Sequence, residues 1–267
     1  MMTIQIKDEG RVRIVTIDRL RARNAVNPET ARALYEVFRE LDEDDAIDVG
    51  ILTGAGGMFC AGFDLKTAAD GSGVDWIGSL DIPAEWDPLN DPMPGPMGPT
   101  RLILSKPVIA AIEGYAVAGG LELAAWCDMR IAAEDATFGV FCRRWGVPLI
   151  DGGTVRLPAI LGQGRANDLI LTGRSVGASE AAAMGLADRI APKGGALATA
   201  LDLAETLTRY PQLCLQADHM SARPEPLALG AALRREWVSA SVFEAEGQAG
   251  AARFAAGKGR GGSFEQI

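Results

Sequence analysis

The segment Ala118-Gly119-Gly120-Leu121-Glu122-Leu123 puts two glycines at the start of an apolar, helix-forming stretch, with a carboxylate three residues beyond the first. Backbone N–H groups at a helix N-terminus lack intrahelical acceptors and point outward, and the helix dipole favours negative charge there. Glycine lets a ligand approach that backbone closely. A glutamate in the first turn then lies beside whatever anion the N–H groups hold. Such a pattern allows a developing oxyanion to be stabilised next to an acid/base residue. A second glycine-rich segment, Gly54-Ala55-Gly56-Gly57, follows Ile51-Leu52-Thr53 and leads into Phe59-Cys60-Ala61-Gly62-Phe63-Asp64-Leu65-Lys66. Taken alone, each glycine-rich segment also reads as an ordinary turn.

The elements that must position these segments follow from periodicity. Residues 12–17 alternate and predict a strand. Asn27 caps a helix with Pro28 at its first position, and Leu34, Val37, Phe38 and Leu41 share one face. Strands are expected at 48–52, 107–112 and 129–132, and a helix from about 120 to 126. Residues 70–100 are rich in Gly, Pro and Asp, and Pro83, Pro88, Pro92, Pro94, Pro96 and Pro99 forbid a long regular element in the later part. From residue 179 onward helical patterns dominate, at 179–184, 197–209 and 226 to about 254. Strands alternating with helices, then a helical tail, indicate an α/β protein with an α-helical C-terminal portion. Periodicity leaves the topology open.

The 267 residues fit one domain, with room for a small appendage. A net charge of −9 argues against general nucleic-acid binding, so any anionic substrate must rely on local basic residues. No uninterrupted apolar run reaches membrane-spanning length. The nearest, 108–126, is broken by Glu113 and Glu122. The first seven residues lack a signal-peptide core. Cys60, Cys127, Cys142 and Cys214 form no CxxC pair, which suits reduced thiols in a cytoplasm.

Several further segments occur in order: Arg23-Asn24-Ala25-Val26-Asn27, the strand Lys106-Pro107-Val108-Ile109-Ala110-Ala111-Ile112 running into Glu113-Gly114-Tyr115-Ala116, and Cys127-Asp128. Gly152-Gly153-Thr154-Val155-Arg156-Leu157-Pro158 and Ala178-Ser179-Glu180-Ala181 with Gly185-Leu186 come after them. With the two glycine-rich segments, they resemble the crotonase family, the enoyl-CoA hydratase/isomerase superfamily, over nearly the whole chain. The resemblance implies a crotonase-like spiral of ββα repeats, with a core over 1–195 carrying the CoA and active sites. It also implies a helical region over 196–267 that builds a homotrimer, often paired into a hexamer.

By position in the family motif, the backbone N–H groups of Phe63 and Gly119 are the oxyanion donors, and Glu122 is the first catalytic glutamate. The chain departs from the pattern at the second. Counting on from Phe138-Gly139, Cys142 stands where hydratases carry that glutamate. A thiol, titrating at about 8.5, is a poor substitute for a carboxylate in activating water. Asp151 would restore a two-carboxylate site, although it also reads as a turn residue before two glycines. Alternatively, Arg143 and Arg144 lower the pKa of Cys142, or Cys142 is a small core residue.

The resemblance places CoA phosphates near Arg21, Arg23 and Lys66, and the adenine near the backbone of Ala25 and Ala61. Lys258 and Arg260 either reach a CoA phosphate of a neighbouring subunit or form a frayed basic tail. Trp76, Trp86, Met93 and Met97 line an acyl pocket or pack their own loop. His219, the sole histidine, reads as structural or exposed. The expected activity is hydration or dehydration of an enoyl-CoA thioester through an oxyanion-stabilised enolate. The alternatives are double-bond isomerisation and a catalytically inactive acyl-CoA-binding relative. No metal or redox cofactor is implied, and coenzyme A enters as part of the substrate.

Overall fold

The computed structural model describes residues 3–258. β1 (Ile4–Glu9) and β2 (Val12–Ile17) form an antiparallel hairpin at the edge of a six-stranded sheet. Beyond β2 the sheet is parallel, continuing through β3 (Val49–Gly54), β4 (Val108–Ile112), β6 (Met129–Ala133) and β9 (Arg189–Ala191). A smaller three-stranded sheet contains β5 (Tyr115–Val117), β7 (Thr137–Gly139) and β8 (Val176–Gly177). The helices that bear on the site are α1 (Pro28–Glu43), α2 (Gly119–Trp126), α3 (Gly153–Leu161), α4 (Ala196–Thr208) and α5 (Pro226–Trp237).

The main sheet is covered on both faces, as a parallel sheet requires. One face, with Leu52, Ala110 and Ile112, belongs to the same core as Leu34, Phe38 and Leu41 of α1. The other, with Ile51, Ile109, Ala111 and Ile131, packs against Ala196, Ala200, Leu203 and Ala204 of α4. Every residue of β4 is therefore buried and apolar. The start of α1 matches its sequence signal: the Asn27 side chain accepts from the Thr30 N–H at 2.9 Å, with Pro28 in the first turn.

Two parts of the chain depart from simple periodicity. The helical pattern expected from 226 to about 254 is divided. α5 ends at Trp237, a π-helical turn spans Phe243–Gly247, and a further helix runs Gln248–Ala255. The extra residue of a π turn lets one side chain leave the regular stripe. Here Phe243 is fully buried, with its ring edge-on to Phe63 at 6.3 Å. Within 70–100 there is a short helix, Ser72–Gly78, and then irregular chain. Trp76 and Trp86 pack that segment, their indole N–H groups donating to Pro96 O at 3.0 Å and Asp91 O at 2.7 Å.

Candidate active site

The two glycine-rich segments meet. The chain from Cys60 to Asp64 is stitched on one side to the first loop, with Val26 N–H donating to Gly62 O and Asp64 N–H to Val26 O, both at 2.8 Å. On its other side Cys60 N–H donates to Tyr115 O at 2.9 Å and Val117 N–H to Cys60 O at 3.1 Å. Gly62 has φ +98°, and a Cβ there would lie 2.9 Å from both Ala118 Cβ and Gly119 N. Only glycine allows this approach. Ala118, just ahead of α2, has φ 53° and ψ −127°, an uncommon conformation for a residue with a side chain. Among the described residues, the Phe63 and Gly119 N–H groups have no acceptor. Two unpartnered donors on neighbouring segments are what stabilisation of a developing oxyanion requires.

Glu122, one turn into α2, is buried beside this pair. Its Oε1 accepts from the N–H groups of Asp151 and Gly153, each at 2.9 Å. Burial pushes its pKa well above the ordinary carboxylate range, and the charges of Asp151 and Glu236 push it further. Asp151 is also buried, and its Oδ1 accepts from Met97 N–H at 2.9 Å and from the Thr100 hydroxyl. Burial raises its pKa too, against the opposing effects of Thr100, Met97, Arg101 and Arg156.

Cys142 is buried near Glu122, and burial pushes its thiol up to about 12. Arg143 opposes this weakly; its Nε donates to Ile170 O at 3.1 Å. Arg144 lies with its guanidinium 3.9 Å from the centre of the Phe141 ring. Cys142 is thus a neutral thiol at physiological pH, and the expectation that the two arginines activate it is corrected by its burial.

These groups share a cavity of about 790 Å³. Phe63, Gly119, Glu122, Cys142 and Asp151 all line it. So do Arg21, Arg23, Ala25, Ala61 and Lys66, gathered on the wall formed by the first loop and the Cys60–Lys66 segment. Arg19 braces that wall, donating to Ala25 O and pairing with Asp64 at 3.0 Å. Of the residues considered for an acyl pocket, Met97 is in the lining, whereas Trp76, Trp86 and Met93 are not. Phe243, Trp145 and Phe254 contribute aromatic wall that the sequence reading did not single out. Lys258 is exposed and outside the lining, and Arg260 lies outside the described residues. Of the two readings of His219, structural or exposed, the structural one holds. Its ring nitrogens lie 2.9 Å from Ser105 O and 2.8 Å from Asp128 Oδ1, so it docks Gln212–Ser221 onto the Cys127-Asp128 segment.

Glu236 of α5 was not anticipated. It accepts from Gly152 N–H at 2.6 Å, Thr154 N–H at 2.7 Å and the Thr154 hydroxyl at 2.8 Å. The available signal was its position three residues after Leu233 and next to Trp237, on the buried stripe of an otherwise polar helical turn.

The family profile described as enoyl-CoA hydratase/isomerase matches residues 7–255. The enoyl-CoA hydratase EchA19 of Mycobacterium tuberculosis is 38% identical over 225 residues, covering 82% of this chain and 79% of its own length. The carnitinyl-CoA dehydratase of Escherichia coli K12 is 35% identical over 217 residues, covering 80% and 78%. Among solved structures, a carnitinyl-CoA hydratase from Mycobacterium avium superposes with a TM-score of 0.81 at 32% identity, covering 96% of both chains. With the paired glycine segments and the mixed α/β architecture, these matches show that the chain belongs to the enoyl-CoA hydratase/isomerase, or crotonase, family.

Proposed function

We propose that the protein is an enoyl-CoA hydratase-like enzyme that adds or removes water across the α,β bond of an acyl-CoA thioester. The observation that carries this reading is the convergence of two unpartnered N–H donors and a buried carboxylate on one cavity. A thioester carbonyl directed at Phe63 N–H and Gly119 N–H gains acidity at its α carbon because the enolate oxygen is stabilised. Each such donor contributes roughly 3 kcal/mol to the transition state. Glu122, whose burial favours the protonated form at neutral pH, delivers a proton to the α carbon as water oxygen bonds to the β carbon. Asp151 supplies the second carboxylate, taking the proton that water gives up. The nearby Arg101 and Arg156 support its ionised state. Arg21, Arg23 and Lys66 contact CoA phosphates, with the adenine against the backbone of Ala25 and Ala61. The C-terminal helices assemble the protein into a trimer or hexamer.

A second reading, double-bond isomerisation, is favoured by the neutral thiol of Cys142 where hydratases carry a second glutamate. Isomerisation needs one shuttling group and no activated water, so Glu122 suffices. Incubation with a short 2-enoyl-CoA and a 3-enoyl-CoA in D₂O, followed by product mass, separates the readings. Hydration that is lost in Glu122→Ala and in Asp151→Asn supports the hydratase. Migration of the double bond or α-deuteration without hydration replaces it with the isomerase. Binding of the CoA ester with no exchange refutes both and leaves an acyl-CoA-binding relative.

A further inference from the structure

We propose that Glu236 is a positioning residue for Glu122, acting from α5 through the shared N-terminus of α3. The backbone N–H groups of residues 151–154 divide alternately between two carboxylates. Those of Asp151 and Gly153 go to Glu122 Oε1, and those of Gly152 and Thr154 go to the two oxygens of Glu236. The Thr154 hydroxyl adds a third bond to Glu236. The first turn of α3 is thus clamped from both sides, and a shift on the Glu236 side moves the donors that orient Glu122. There is little slack in the clamp. A Cβ at Gly153 would lie 2.8 Å from Glu122 Oε1, and one at Gly152 1.9 Å from Arg156 Nη1. Gly152 itself has φ +89°.

Glu236 is absent from the cavity lining, so it acts through α3 and does not touch substrate. It is nonetheless close enough for its charge to favour a proton on Glu122. The other charged or titratable groups facing Glu122 are Asp151 before α3, Arg156 on α3 and Cys142 on the Phe141–Trp145 turn. Arg101 and Arg156 face Glu236 itself. An arrangement that merely pinned a helix would not tie the protonation of Glu122 to residue 236, and this difference supplies the test.

The inference rests on Glu122 being the acid/base group, and the experiment keeps the two apart. α-Proton exchange of an acyl-CoA in D₂O is followed against pH for wild type, Glu122→Gln, Glu236→Gln and Glu236→Asp. In Glu236→Gln, kcat is expected to fall about 10- to 100-fold with little change in KM. The pH limb that disappears in Glu122→Gln moves to lower pH, whichever protonation state the rate requires. Glu236→Asp keeps the charge but not the reach, so kcat falls while the limb stays in place. A folded Glu236→Gln protein with wild-type kcat, or with reduced kcat and an unmoved limb, overturns the inference. Exchange unaffected by Glu122→Gln overturns the underlying reading instead. Should Glu236→Gln fail to fold, Thr154→Ala removes one of the bonds to Glu236 without changing charge. A kcat lowered about threefold at unchanged KM then supports the clamp, and an unchanged kcat refutes it.

Discussion

Replacing Gly62 with alanine should disable the oxyanion site while leaving Glu122 and the cavity wall chemically intact. Two costs follow from its position. An L residue at φ +98° is strained by about 1–2 kcal/mol. The added Cβ would also sit 2.9 Å from both Ala118 Cβ and Gly119 N, neither of which is the free end of a flexible side chain. Relieving that overlap costs about 1–3 kcal/mol through backbone movement. Together these amount to roughly 2–5 kcal/mol, within the stability of an ordinary domain. The movement separates the Gly62-Phe63 segment from Gly119, and with them the two donors. Misaligning one oxyanion donor lowers the rate about 10²- to 10³-fold.

Gly10→Ala is the matched control. Gly10 also has positive φ, +59°, but an added Cβ would meet nothing within 4 Å. It should lose about 1 kcal/mol of stability and no activity. Urea unfolding and α-proton exchange, measured on both variants, separate folding from catalysis. A folded Gly62→Ala protein that exchanges at the wild-type rate would refute the assignment of Phe63 and Gly119 as the donor pair.

Alkylation at pH 8 tests the protonation of the cavity thiol. Exposed Cys214 should label in the folded protein, whereas Cys142, with its pKa pushed to about 12, should label only after unfolding. Peptide mass mapping that finds Cys142 modified as fast as Cys214 would contradict a buried neutral thiol. The pairing of His219 with Asp128 predicts a pH-dependent stability. Its hydrogen bond to Asp128 raises the His219 pKa above the ordinary value, so the pairing is fully present below the unfolded pKa and lost as pH rises through the folded one. The Asp128 pKa is lowered, so its contribution fades only in acid. His219→Ala should therefore lower stability by about 1–2 kcal/mol at pH 5.5 and by less at pH 9. Denaturant titrations showing the same loss at both pH values would rule this out.

What was legible in the sequence is what short segments encode by themselves. The Asn27-Pro28 helix start, the alternation of β2 and the glycines leading into α2 each depend on their own backbone, and each lies where the residues predict. Motif order then supplied the topology that periodicity could not. The less legible features depend on contacts between distant segments. Glu236 reaches α3 across more than eighty residues of chain, and nothing at Gly152-Gly153-Thr154 names its partner. Arg101 is buried, with its guanidinium 4.3 Å from the centre of the Trp237 ring, although its local sequence reads as a loop. The adjacent arginines suggested a reactive Cys142, yet burial decides the state of that thiol.

The crowding of carboxylates around Glu122 is a physical reason for a thiol at position 142. Glu122, Asp151 and Glu236 are three buried carboxylates; burial raises the pKa of each, the charge of Asp151 raises those of the other two further, and that of Glu236 also raises Glu122. Each already accepts hydrogen bonds from backbone N–H groups, and Arg101 and Arg156 are the cations felt by all or part of the group. A glutamate at 142 would add a further negative charge beside Glu122 in a region where burial already disfavours ionisation. A neutral thiol avoids that repulsion, and in the proposed hydratase mechanism the ionised role falls to Asp151, whose Oδ1 is held by the Met97 N–H and the Thr100 hydroxyl. In the proposed hydratase reading, the second carboxylate of the cavity is therefore supplied by Asp151, just before α3, in place of a glutamate in the turn after β7. At that position its backbone N–H donates to Glu122 Oε1 and the residue itself lines the same cavity, so the placement of Asp151 and that of Glu122 are tied together.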